Sequence, residues 1–178
     1  MLHCGAATRN NYFNKGISME ELAPTRLDKV DRKILDLLQR EGALSVAEVA
    51  SRTGLSTTTC WRRIQSLEQS GVIKGRVALL DRAALGLDVT IFAHVKLSTQ
   101  GRDAIAAFAE AIRERPEVLD CYTTMGEWDF MLRVVTRDIK AYEAFYLDHL
   151  SKLPNVQSIN SSVTVTVIKE TTILPIAL

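Results

Sequence analysis

Residues Ser45–Arg76 read SVAEVASRTGLSTTTCWRRIQSLEQSGVIKGR, and this stretch decides the N-terminal fold. Ser45 and Glu48 stand three apart at the head of an apolar run, the spacing at which two side chains satisfy each other's free helix-start amides. The short helix they open turns Val46, Val49 and Ala50 inward and ends at Thr53-Gly54. Ser56 is the next N-cap, heading a helix with Cys60, Ile64 and Leu67 on its buried side. Ser70-Gly71 closes that helix, because glycine takes the left-handed backbone a helix exit often needs. Val72 to Val77 then reads as an extended ribbon. Upstream, Asp28 caps a supporting helix striped with Val30, Ile34, Leu35, Leu37 and Leu38, which Gly42 stops. Two short helices joined by Thr53-Gly54-Leu55-Ser56, behind a supporting helix, make a helix-turn-helix.

That arrangement presents its second helix end-on, so the first turn can enter a DNA major groove. Ser56 sits at its N-terminus, and the outer side carries Thr57, Thr58, Trp61, Arg62 and Gln65. Hydroxyls and guanidinium forks reach base edges and phosphates, and a helix N-terminus favours a phosphate. Arg63 lies within reach of the same backbone, with Lys74 and Arg76 on the ribbon for flanking phosphates. Charge is divided accordingly. Arg26 to Arg76 holds ten Lys/Arg against six Asp/Glu, a net +4, whereas Val77 to Leu178 holds ten against thirteen, a net −3. A basic block ahead of an acidic one fits a polyanion-binding module. The same pattern also fits a three-helix protein-interaction module whose arginines are merely solvated.

From Leu87 the period changes. Leu87, Val89, Ile91, Ala93, Val95 and Leu97 alternate with Asp88, Thr90, Phe92, His94 and Lys96, the mark of a strand with one face on a core. After Gly101, Ile105, Phe108, Ala109 and Ile112 return to helical spacing until Pro116. Val118 to Met125 predicts a second strand, Gly126 to Asp129 a turn, and Phe130 to Val135 a third strand. Ile139, Tyr142, Phe145, Tyr146 and His149 mark another helix, closed by Leu153-Pro154-Asn155. Val156 to Ile168 reads as one long strand, and Ile173 to Ile176 as a short edge strand. Strand, helix, strand, strand, helix, strand is the ferredoxin-like βαββαβ order, an antiparallel sheet with both helices on one face. The predicted class is α+β, with a flexible tail over 1–25, a DNA-binding domain over 26–76, a linker over 77–86 and a ferredoxin-like domain over 87–178. Met19 opens a tidier segment than Met1 and is a candidate natural start.

Several function classes are disfavoured by what the chain lacks. No apolar run approaches the roughly 20 residues of a membrane helix, and the first residues carry no basic-then-apolar leader pattern, so a cytoplasmic protein is expected. Cys4, Cys60 and Cys121 form no Cys-x-x-Cys pair, which indicates neither a disulfide framework nor a zinc site; the later two are expected to be buried and reduced. His3, His94 and His149 stand apart, outside any catalytic or metal-ligand spacing, and no glycine loop cradles a phosphate. His94 is expected on a sheet face or dimer interface, and His149 in helix packing. No cofactor and no metal are expected, and no enzyme activity.

In order along the chain, Leu27-Asp28-Lys29-Val30-Asp31-Arg32-Lys33-Ile34-Leu35, Gly54-Leu55-Ser56, Cys60 to Arg63, Leu67-Glu68 and Gly71-Val72-Ile73-Lys74-Gly75 resemble the leucine-responsive and asparagine regulators, the Lrp/AsnC or feast/famine family. Gly126-Glu127-Trp128-Asp129 is similar to that family's Gly-Asp-aromatic-Asp turn, and Leu153-Pro154-Asn155-Val156 matches as well. The resemblance runs from Leu27 to about Lys169. It implies a winged helix-turn-helix regulator of transcription whose effector domains pair into homodimers and higher even-numbered assemblies. It also implies an amino acid or related metabolite bound between dimers, at Gly126, Trp128 and Asp129 with Ser161, Ser162 and Thr164. Thr57 departs from the proline of many members, and Glu127-Trp128 from aspartate and a smaller aromatic. Without the resemblance, the Gly126 turn reads as a plain hairpin whose Asp129 caps backbone amides. Sirohaem decarboxylases resemble the same two-domain architecture, so a haem-pathway decarboxylase is the alternative, and a pure metabolite-binding module a third reading.

Overall fold

The structure is a computed structural model that describes residues 26–99 and 101–176. The predicted tail over 1–25 and the question of Met19 lie outside these residues. Contacts divide the chain into two units. One ends at Val77 and takes back the chain from Thr172 on, and the other is Ala78–Thr171.

The first unit holds α1 (Lys29–Arg40), α2 (Val46–Thr53) and α3 (Thr57–Gln69). Each start is built as its sequence dictates. Asp28 and Asp31 form a capping box on α1, Ser45 and Glu48 a second on α2, and the Ser56 hydroxyl accepts from the Thr59 amide on α3. Gly54 leaves α2 at φ 71°, a left-handed conformation in which a side chain would be strained. Ile34, Leu38, Leu44, Val49, Ala50, Cys60, Ile64 and Leu67 close into one core. Residues 72–77, predicted as a ribbon, carry no strand pairing within the described chain. The chain end departs from expectation more clearly. Residues 173–176 form no edge strand. Instead the Leu174 amide donates to the Gln39 Oε1 at 2.9 Å and its carbonyl accepts from Gln39 Nε2 at 3.1 Å, which places this segment against α1. Gln39 acts as a substitute backbone, so the end of the chain belongs with the helical unit and not with the predicted domain over 87–178.

The second unit contains β1 (Val89–Leu97), α4 (Arg102–Arg113), β2 (Val118–Thr123), β3 (Phe130–Thr136), α5 (Ile139–Asp148), a 3-10 turn at Leu150–Lys152 and β4 (Val156–Val163). The sheet order is β2-β3-β1-β4, with antiparallel pairing throughout. Ile91, Ala93, Val95 and Leu97 of β1 meet Phe130, Leu132 and Val134 of β3 and the buried sides of α4 (Ala104, Phe108, Ile112) and α5 (Tyr142, Phe145). The strict alternation in β1 thus has the predicted meaning. On the other sheet face Phe92 pairs with Arg133, His94 with Met131, and Tyr122 with Met131, and among the described residues none of these joins the core closed by α4 and α5. β4 stops at Val163, five residues before the predicted Ile168. Beyond it the alternating pattern continues, but β1 has run out: Thr164 donates its amide to the Thr90 carbonyl near the start of β1, and Val165 is 96% exposed. Alternation alone does not make a strand without a neighbour to receive its hydrogen bonds.

Candidate nucleic-acid interface and effector turn

α3 sorts its residues by angle. Cys60, Ile64 and Leu67 are at most 4% exposed, and Thr57, Thr58, Trp61 and Arg62 face outward, with half of Trp61 in solvent. At 100° per residue, neighbours in sequence point apart, so three buried anchors fix which side chains are presented. Ser56 is spent on its cap, also sharing a hydrogen bond of 2.8 Å with the Thr59 hydroxyl. Gln65 donates to Glu68 at 2.9 Å. Arg76 stands 3.6 Å from Glu68, and Lys74 is exposed.

The two adjacent arginines have opposite surroundings. Arg62 is exposed and, among the described residues, makes no ion pair. Arg63 turns toward α1, where its Nη1 donates to Asp28 Oδ2 and to Asp31 Oδ1, both at 2.7 Å. The Asp31 amide and the Arg63 guanidinium hold the Asp28 carboxyl below its ordinary pKa, and the paired carboxylates raise that of Arg63. The sequence placed both arginines at the DNA backbone; the structure presents one and engages the other.

The turn after β2 is equally busy. Gly126 has φ 131°, Thr124 donates its hydroxyl to the Trp128 carbonyl, and the Thr124 amide donates to the Asp129 carbonyl at 2.9 Å. Asp129 locks the turn to the sheet: its amide donates to the Val95 carbonyl at 3.0 Å and its carboxylate accepts from the Leu97 amide at 2.7 Å. Trp128 lies 6.1 Å from His94 across the uncovered sheet face. Gly126, Trp128 and Asp129 are therefore together. Of the other predicted effector residues, Ser162 shares the sheet face of His94, the ring beside Trp128, while Ser161 and Thr164 lie elsewhere. The Ser161 hydroxyl shares a 2.5 Å hydrogen bond with Tyr142, on the helix side of the sheet. Ser162 sits opposite Phe92 on the uncovered face. Thr164 lies by Thr90, seven residues along β1 from Leu97, or roughly 23 Å of strand.

Thr164 instead lines a cavity of about 310 Å³ with Leu80, Arg82, Leu87, Thr90 and Glu170. Its hydroxyl is buried there without a hydrogen-bond partner. Arg82 donates to Thr90 and pairs with Glu170 at 2.8 Å, and Glu170 also pairs with Arg133 at 3.0 Å. The sequence marked only Thr164 of this cavity, because its walls come from two distant segments, within 80–90 and 164–170. Burial pushes the pKa of the Cys121 thiol up to about 11 and raises that of Cys60.

Residues 27–74 match the winged helix-turn-helix DNA-binding family, and residues 90–174 match the Lrp/AsnC ligand-binding domain. The DNA-binding transcriptional activator DecR of Escherichia coli K12 is 39% identical over 150 residues, covering 84% of this chain and 99% of that protein. An AsnC-family transcriptional regulator from Agrobacterium tumefaciens superposes with a TM-score of 0.80 at 43% identity, covering 84% of this chain and 97% of the other. A Neisseria meningitidis transcriptional regulator in complex with L-Met gives 0.80 at 38%, with coverage of 84% and 96%.

Proposed function

The chain belongs to the Lrp/AsnC family of transcriptional regulators, and from that premise we propose that it reads duplex DNA with the outer face of α3 and tunes that reading to an amino acid or related metabolite. The observation that carries the DNA half is the anchored α3, which presents Thr57, Thr58, Trp61 and an unpaired Arg62 on one exposed face. Exposed Lys74 supplies flanking positive charge, and Arg76 does so once it leaves the Glu68 carboxylate 3.6 Å away. Specific readers of this kind act as dimers on half-sites about one helical turn, or a multiple of it, apart. The uncovered sheet face offers the means. Phe92, Tyr122, Met131 and Trp128 stand on the side away from α4 and α5, where a second copy would remove apolar area from water. The haem-pathway decarboxylase alternative finds no support in the relatives described above.

For the effector, the support is the turn at Gly126–Asp129 together with the Neisseria regulator's complex with L-Met. A glycine turn lets a ligand approach backbone amides. Asp129 is already committed to Leu97, so its part is to hold the turn, and a neighbouring copy supplies further polar groups to the ligand. Binding and assembly are then coupled in both directions.

The test has two stages. A duplex is selected from a random pool with the full chain and its affinity measured by fluorescence anisotropy. The twenty amino acids are then screened by thermal shift, with any hit followed by analytical ultracentrifugation. The reading expects a selected duplex with two half-sites and an amino acid that both raises the melting temperature and shifts the oligomer distribution. Failure to select any duplex overturns the DNA half. A hit whose binding is weakened by Thr164→Val and untouched by Gly126→Val moves the effector site to the Arg82 cavity.

A further inference from the structure

The geometry points to Arg63 as a positioning residue for DNA reading: it holds α3 at the angle that presents Arg62, Thr57 and Thr58, and does not itself contact phosphate. This rests on the proposed DNA-binding face. The apolar contacts between α1 and α3, through Ile34, Leu38, Ile64 and Leu67, are non-directional and tolerate some rotation of one helix on the other. Arg63 removes that freedom. One guanidinium nitrogen is shared by two carboxylates that cannot move, because each is also built into the start of α1. Asp28 Oδ1 accepts the Val30 and Asp31 amides at 2.8 Å, and Asp31 Oδ2 accepts the Asp28 amide at 3.2 Å. The capping box is thus a rigid socket, and charge-assisted bonds into it are short and directional. Arg63 follows Arg62 directly, so a side chain pinned toward α1 sets its neighbour about 100° away. Asp31 is 16% exposed and Arg63 32%, a pair shielded enough for the socket to be more than a solvated contact.

Two signs separate positioning from phosphate contact. A carboxylate beside a polyanion opposes binding by charge, so neutralising it should help unless it is needed for geometry. A lysine or arginine that neutralises a phosphate contributes about one unit to the slope of log affinity against log salt. The experiment therefore uses the full chain and the duplex it selects, with anisotropy at several salt concentrations, well below each variant's melting temperature. Arg63→Ala is expected to weaken binding about tenfold with the salt slope unchanged, whereas Arg62→Ala lowers the slope by about one. Asp31→Asn is expected to weaken binding severalfold in spite of removing a negative charge. Combined with Arg63→Ala it should add little, as for two members of one contact. Arg63→Lys, which keeps the charge but reaches one carboxylate at a time, should fall between parent and alanine. The assignment is overturned if Asp31→Asn binds as tightly as the parent or tighter, or if Arg63→Ala loses a unit of slope. It is equally overturned if Asp31→Asn only lowers the melting temperature. A parent chain that selects no duplex removes the DNA reading and this assignment with it, a result distinct from any of these.

Discussion

Helix α3 and the turn before β3 carry similar chemistry, hydroxyls, an aromatic and charged side chains, yet the fold treats them in opposite ways. On α3 the backbone satisfies itself through i to i−4 bonds, so Thr57, Thr58, Trp61 and Arg62 are left over for something outside the chain. In the turn the Thr124 and Asp129 amides reach backbone carbonyls, but side chains are drawn in as well: Thr124 serves the Trp128 carbonyl and Asp129 ties the turn to the Leu97 amide of β1. A helix can present its side chains, whereas a turn must first spend them.

The largest effect tests whether the α3 face depends on its anchors. Ile64→Ala removes a side chain that is 2% exposed and should cost about 3 kcal/mol, abolishing DNA binding at 37 °C. Denaturant unfolding followed by Trp61 fluorescence in a Trp128→Phe background measures it, and a loss under about 1 kcal/mol would show that α3 does not need this anchor. Next is Asp129→Ala. Leaving the Leu97 amide without its acceptor should cost roughly 1–3 kcal/mol, while DNA affinity measured at 10 °C stays near the parent's. Unchanged stability in that variant would break the contrast, since the carboxylate would then be as available as Arg62. Arg62→Ala comes third: stability should remain within about 0.5 kcal/mol, the range of exposed substitutions, while DNA affinity falls. Equal DNA binding by Arg62→Ala would remove the free side of the comparison.

The smallest effect is a pH dependence. Cys121 is an acid whose folded pKa is raised to about 11, so the folded chain keeps this proton after the unfolded chain has released it. Its contribution is therefore intact below the ordinary thiol range and declines as pH rises from there toward 11. Cys121→Ser should flatten the alkaline limb of melting temperature against pH; an identical limb in parent and variant would assign it to other groups.

The interval between Leu27 and Leu67 was readable almost residue by residue. Every cap there is a contact between positions two to four apart, and every buried position except Leu44, which enters the core from the loop before α2, follows from a 3.6-residue period. The βαββαβ order was readable too, from alternation in β1 and helical spacing in α4 and α5. What failed were ends and surroundings. Val163 to Ile168 alternates as well as β1 does, but strand length is set by the neighbour's length. Residues 173–176 look like an edge strand and dock on Gln39 of α1 instead. At the candidate site, the angular placement of Thr57 to Gln65 was legible, but not the split between Arg62 and Arg63.

Short spacings carried this chain's local grammar: three capped helices, the helix-turn-helix, the alternating core strand and the order of elements. Those features rest on interactions within about one helical turn or one strand, which short spacings report directly. Tertiary structure alone decided that Arg63 closes on Asp28 and Asp31 from 35 and 32 residues away, and that Asp129 serves Leu97 across 32. It alone gathered Arg82, Thr164 and Glu170 around one cavity. Such pairings are chosen by where packing places the ends of elements, and many residues can satisfy the same local pattern while only one set of distances lets a given charge or hydroxyl find its partner.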